Sequence, residues 1–147
     1  MDSLKIKRLC ENAVLPKRAT PGSAGMDLYA CLDNAVTVEP HCCFKFHTGI
    51  AIALPSPDYG AFIFARSGLS VNHGLAPANC VGVVDSDYRG EIIVGLVNQF
   101  DTPYTVEPGE RIAQLVILPV SLMGTEECDE LDDTQRGEGG FGSTGRT

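Results

Sequence analysis

Six short runs rich in β-branched and aromatic residues, most closed off by turn-forming residues, set the strongest limit on what this chain can fold into. They lie at residues 4–7, 36–38, 49–54, 61–64, 91–97 and 112–118, and Pro, Gly, Asn or Asp bounds most of them. Half-buried pleated strands favour such side chains, and Pro and Gly supply the fixed or positive φ that reverses the chain between them. Val38-Glu39-Pro40 and Val106-Glu107-Pro108-Gly109-Glu110 read as turns of this kind. The one helical expectation is a short segment beginning near Ser67 in RSGLSVNHG, with Gly74 as its stop. Many short strands at turn-punctuated spacing predict an all-β sandwich or barrel.

A chain of 147 residues with 44% hydrophobic content fits one domain able to bury its own core. Its 19 acidic side chains outnumber 11 basic ones, for a net charge of -8, which argues against nucleic acid as a partner, since that affinity rests on clustered Lys and Arg. No apolar run reaches the length of a membrane span, and MDSLKIKRLCENAV lacks the apolar core of a signal peptide. The expectation is a soluble, intracellular and cytoplasmic protein, or a nuclear one in a eukaryotic or viral setting, with no membrane partner. The cysteines Cys10, Cys31, Cys42, Cys43, Cys80 and Cys128 include no C-x-x-C pair, so reduced and mostly buried thiols are expected. His41, Cys42, Cys43 and His47 offer ligand types that suit zinc. Adjacent residues of an extended chain face opposite ways, however, and packing is their expected role.

Three stretches hold more chemistry than folding requires. In GVVDSDYRGEIIVGLVN, Asp85 ends one apolar run and a turn, Ser86 to Gly90, leads to the next, which predicts a hairpin. A carboxylate at a rigid strand end that still reaches solvent suits a general base orienting one water, although an Asx-type turn residue is the plainer alternative. In Ala65-Arg66-Ser67-Gly68-Leu69, an Arg and a Ser stand where a strand hands over to a helix, a place for an anion or simply for a cap and an ion pair. Past Pro119, six acids fall within residues 126–133, and then Arg136-Gly137-Glu138-Gly139-Gly140-Phe141-Gly142-Ser143-Thr144-Gly145 follows. Composition alone reads as a solvated linker and a disordered end. Yet Gly backbone, Ser and Thr hydroxyls, an Arg fork and one Phe ring together suit a nucleotide, and the spacing is not that of a Walker A loop. The chain therefore divides into a β domain, residues 1–120, and an acidic linker with a Gly-rich arm, residues 121–147.

Five segments, in order, resemble the five motifs of the trimeric dUTPase family (dUTP pyrophosphatases). They are Ala24-Gly25-Met26-Asp27-Leu28-Tyr29-Ala30, Ala65 to Leu69, Gly82-Val83-Val84-Asp85-Ser86-Asp87-Tyr88-Arg89-Gly90, Gly109-Glu110-Arg111-Ile112-Ala113-Gln114-Leu115, and Arg136 to Gly145. Together they span residues 24–145. The resemblance implies a distorted, jelly-roll-like β-barrel with one short helix and a flexible C-terminal arm. It also implies a homotrimer in which active sites are shared and the arm closes over a neighbour's site. The implied reaction is Mg²⁺-dependent hydrolysis of dUTP to dUMP and pyrophosphate, which limits uracil in DNA and supplies dUMP for dTTP synthesis.

By the same resemblance, Asp85 is the base for water attack on the α-phosphorus. Arg66, Ser67, Gly68 and Gln114 hold the phosphates, and Arg136, Gly142, Ser143 and Thr144 close on them while Phe141 covers uracil. Asn79 with the backbone of the Asn79 to Tyr88 hairpin, Gly82 and Val84 included, pairs with uracil, and Tyr88 packs under deoxyribose. Mg²⁺ rides mainly on the substrate phosphates, with Asp27 touching it through water. Two rivals share the pattern in part: a dCTP deaminase of the same fold, and a nucleotide-binding relative without turnover.

Overall fold

A computed structural model of the chain describes residues 3–140. Ten strands and one helix run in the order β1 (Lys5–Arg8), β2 (Met26–Tyr29), β3 (Val36–Val38), β4 (Cys43–Ala53), β5 (Tyr59–Phe64), α1 (Ser67–His73), β6 (Leu75–Pro77), β7 (Gly82–Val84), β8 (Glu91–Asn98), β9 (Tyr104–Val106) and β10 (Arg111–Pro119). They form two four-stranded antiparallel sheets, β1-β4-β8-β6 and β2-β10-β5-β7, with a small β3-β9 ribbon. Successive strands alternate between the sheets, so the two curl around one core as a distorted, jelly-roll-like barrel. Phe46, Ile50, Leu75, Leu96, Ile112 and Leu115 are fully buried in that core. Strand β8 shows why the sequence folds this way: Ile92, Val94, Leu96 and Asn98 are buried in strict alternation with more exposed neighbours.

Two local features follow from single residues. Helix α1 ends where Gly74 takes φ 74° and its N–H donates to Ser70 O at 3.0 Å, as the sequence predicted. Strand β4 bulges between His47 and Ala51, where Gly49 takes φ 67°. The Gly49 N–H released from the ladder donates to Glu91 Oε1 at 2.8 Å, and Glu91 Oε2 meets His47 Nδ1 at 2.8 Å. Burial alone would raise the Glu91 carboxyl, but these bonds outweigh it and hold the group below its ordinary value.

Two expectations are corrected. Strands β7 and β8 do not pair as a hairpin: β7 joins β5 and β8 joins β4 and β6, so the segment Asp85 to Gly90 crosses between sheets. The connection lacks the two-residue Asn-Gly or Asp-Gly turn that would fold one strand back on the other. The cysteines are not mostly buried either. Cys10, Cys42, Cys43, Cys80 and Cys128 are exposed and Cys31 is half-buried, because Cys42 and Cys43 stand at the exposed start of β4 and the others lie in connections. Beyond β10, residues 121–138 are exposed and contain no strand or helix.

Candidate active site

The sheet β2-β10-β5-β7 sets the motif residues side by side. Asp27 on β2 faces Gln114 on β10, and Gln114 in turn faces Phe64, the last residue of β5. Arg66 lies two residues past that strand end, and on the far side of β5 Ile63 faces Gly82 of β7. The register of one sheet thus lines up four segments that are distant in sequence.

On the β2–β10–β5 side lies a cavity of about 330 Å³ lined by Gly25, Asp27, Arg66, Ser67, Gly68, Arg111 and Gln114, among others. Its centre is a charge cluster. Arg66 Nε donates to Asp27 Oδ1 at 2.8 Å, and Arg111 Nη1 donates to Asp27 Oδ2 at 3.3 Å. Arg66 Nη1 also donates to Arg111 O at 3.2 Å. The Asp27 side chain is only 14% exposed, so this carboxylate holds two guanidinium groups in place at the edge of solvent. Gln114 Nε2 donates to Ala65 O at 2.8 Å, which fixes the amide beside Arg66. Gly25 is required by this arrangement: a Cβ there would lie 2.6 Å from Gln114 Oε1. With two cations to one anion, Ser67 exposed at the start of α1 and an amide alongside, the cavity is built for a polyanion.

Arg111 is a member of this cluster that the residue reading left without a role. Strand periodicity puts residues three apart on opposite faces, which separates Arg111 from Gln114. A bulge between Arg111 and Ala113 shifts the register by one residue and brings both to the same cavity.

The second cavity, about 220 Å³, is lined by Ile63, Asn79, Gly82, Val84, Asp85, Tyr88 and Glu91, among others. Asp85 stands exposed one residue past β7. Its backbone O accepts from Tyr88 N–H at 3.2 Å, an ordinary β-turn, and among the described residues its carboxylate has no hydrogen-bond partner. The Asx-turn alternative is therefore not what this side chain does. Tyr88 folds back over Gly90, and its Oη donates to Glu91 O at 3.1 Å. On the other side of the cavity, Cys80 takes φ 64° and Val81 N–H donates to Asn79 O at 2.7 Å, a tight γ-turn that non-Gly residues rarely adopt. A small polar rim around Gly82 and Val84 thus accompanies an uncommitted carboxylate and a fixed aromatic ring.

The two cavities have no lining residue in common. Arg136 lines neither; its Nε donates to Gly139 O at 2.8 Å within its own turn. The expected contacts of Phe141, Gly142, Ser143 and Thr144 lie outside the described residues. Among the described residues no three His, Cys, Asp or Glu side chains come together to hold a metal ion.

A dUTPase family model matches residues 11–145. A deoxyuridine 5'-triphosphate nucleotidohydrolase of Desulfitobacterium hafniense is 54% identical over 149 residues, covering 99% of each chain. One from Idiomarina loihiensis is 51% identical over 140 residues, covering 95% of this chain and 93% of its own. Among solved structures, a dUTPase variant of Staphylococcus bacteriophage 80alpha with dUpNHpp superposes with a TM-score of 0.89 at 28% identity over 99% of both chains. A dUTPase variant from phage phi11 of S. aureus, described with a structural Mg(II) ion, shares the fold with a TM-score of 0.81 at 23% identity, covering 90% of this chain and 100% of its own.

Proposed function

The chain belongs to the dUTPase family, and on that premise we propose how its own residues hydrolyse dUTP to dUMP and pyrophosphate. The observation that supports the reading most directly is Asp85: a solvent-reaching carboxylate without a hydrogen-bond partner among the described residues, in one cavity with Asn79, Gly82, Val84 and Tyr88. A base that is not spent on its own turn is free to orient and deprotonate a water.

Asp85 aims that water at the α-phosphorus, with pyrophosphate leaving in line. Asn79 and the backbone from Gly82 to Val84 present donors and acceptors to the uracil edge, and a cytosine there would leave buried polar groups unmatched. Tyr88 lies under the deoxyribose, where its fixed ring leaves no room for a 2′-hydroxyl. Arg66, Ser67, Gly68 and Gln114 hold the phosphate chain, and their work is positioning and charge neutralisation, the main sources of rate in phosphoryl transfer. Arg136, Phe141, Gly142, Ser143 and Thr144 complete the enclosure from the C-terminal arm.

Mg²⁺ fits this site only as a passenger of the triphosphate, since among the described residues Asp27 is the one carboxylate lining the phosphate cavity. Bound there, the ion offsets negative charge on the phosphates. Both Asp27 oxygens already accept from Arg66 and Arg111, so its first task is to hold those cations, and contact with metal-bound water is its lesser one.

That the phosphate and nucleoside cavities share no lining residue among the described residues supports a site completed by more than one chain, in a homotrimer. Its role is to limit uracil in DNA and supply dUMP for dTTP synthesis, in the cytoplasm or, in a eukaryotic or viral setting, the nucleus. The test is pyrophosphate release with Mg²⁺ from dUTP beside dCTP, dTTP and UTP at equal concentration. Release from dUTP alone is expected. Ammonia from dCTP would move the chain to the deaminase branch, and binding without release would leave a relative that has lost its chemistry.

A further inference from the structure

Two of the cysteines meet outside both cavities: Cys10 Sγ and Cys31 Sγ lie 2.7 Å apart as free thiols. We propose that Cys10 and Cys31 form a reversible dithiol site, which takes low-molecular-weight disulfides and closes into an internal disulfide by thiol–disulfide exchange.

The encounter is built into the backbone. Leu9 N–H donates to Gly49 O at 2.8 Å, and Cys31 N–H donates to His47 O at 2.8 Å, so both chain segments are anchored on the same bulged stretch of β4. A Cβ on Gly49 would lie 2.6 Å from Cys10 Sγ and 2.9 Å from Cys31 Sγ. Both sulfurs therefore rest in the space that a glycine α-carbon leaves open, and the positive φ of Gly49 keeps a glycine there. Among the described residues no other sulfur pair comes within hydrogen-bonding range, and no third ligand joins this one to make a metal site.

Access sets the order of events. Cys10 is exposed, while Cys31 is half-buried. Burial, helped by the neighbouring Cys10, Glu91 and Asp33, pushes the Cys31 thiol up to about 11. The thiolate is the attacking form, so Cys10 reacts first. Its sulfur attacks one sulfur of a disulfide RS–SR, forming a Cys10 mixed disulfide and releasing RS⁻. Cys31 then gives up its proton and attacks Cys10 Sγ, expelling the second RS⁻. Two protein thiols are oxidised to one disulfide, and RS–SR is reduced to two RSH once the leaving groups take up protons. The product ties the end of β1 to the β2–β3 connection across the β4 bulge that Glu91 supports.

The test incubates the full-length protein with oxidised glutathione and quantifies peptides from a non-reducing digest. A Cys10–Cys31 cross-linked peptide as the main product at these positions, reversed by dithiothreitol, is expected. Cys31→Ser should instead accumulate a glutathione adduct on Cys10, and Cys10→Ser should leave Cys31 modified at least about 10-fold more slowly than Cys10 is in Cys31→Ser. Stable adducts on both cysteines without the cross-link would overturn the proposal, as would reaction of Cys31 at the rate of Cys10.

Discussion

Replacing Gly90 with alanine should spoil the choice between deoxyribose and ribose while leaving the fold nearly intact. A Cβ at this position would collide with Tyr88 Oη and stand 2.5 Å from Tyr88 Cζ. Ordinary carbon contacts need about 3.5 Å, so the ring must swing outward by about 1 Å. Gly90 does not lie in the left-handed region, so alanine meets no backbone strain of that kind and the ring is the obstacle. Tyr88 is 45% exposed, which lets the ring move into solvent instead of disrupting the core. The direct loss is the Tyr88 Oη to Glu91 O hydrogen bond, about 1 kcal/mol net, or a fall of about 2–4 °C in Tm for a chain of this size. The functional loss is larger. A misfit of about one carbon's width in a discriminating pocket is worth about 1–3 kcal/mol, so the ratio of kcat/KM for dUTP over UTP should fall at least about 5-fold. Parallel kinetics with both nucleotides measure it, with Tyr88→Ala as the reference for complete loss of the ring. A variant whose Tm falls but whose dUTP over UTP ratio is unchanged would show that Gly90 does not set the sugar filter through Tyr88.

Asp85→Asn should bind dUTP with near-normal Kd but turn over at least about 10²-fold more slowly, and a kcat near the parent's would remove Asp85 from its role. Deleting residues 134–147 should abolish most activity with little change in Tm, and a truncated chain with full kcat would refute closure by the arm. Asp27→Asn withdraws the carboxylate that among the described residues joins Arg66 to Arg111, so Tm should fall by several degrees, reflecting about 2 kcal/mol, and KM for dUTP should rise; unchanged KM would mean that Arg66 is held by other contacts. The Glu91 carboxyl is held below its ordinary value in the folded chain, so its stabilisation is present above about pH 4.3 and fades as pH falls through the folded value. The Tm gap between the parent and Glu91→Gln should therefore narrow between about pH 5 and pH 3, and a constant gap over that range would contradict the sign.

The elements legible in the sequence are those whose signal is local. Strand β3, the body of β8 and helix α1 with its Gly74 stop follow from alternation and turn chemistry alone. Strand β4 begins six residues earlier than residues 49–54 suggested, because Cys43, Phe44 and Lys45 are exposed and give no buried-strand pattern. What the residues could not show is pairing. The apolar runs around Asp85 look like a hairpin, and only long-range contacts send β7 to β5 and β8 to β4. Likewise Arg111 stood in plain view within a motif, but the bulge that turns it toward Gln114 depends on its register against β2. The roles proposed for Asp85, Arg66 and Gln114 rest on the joint order of five motifs, since each alone has an ordinary structural use.

Because the Arg66 cavity and the Asp85 cavity share no lining residue among the described residues, they need not fail together. If different chains of the proposed trimer complete each site, two crippled copies can rescue one another. A copy broken at Arg66 still offers its Asp85, and a copy broken at Asp85 still offers its Arg66, so mixed assemblies would regain sites that neither pure assembly has. The same geometry works against the cell when a faulty chain mixes with sound ones, for that chain spoils sites its neighbours would otherwise have kept. A single defect would then cost one shared site for each faulty chain, whichever neighbour supplies the rest of that site.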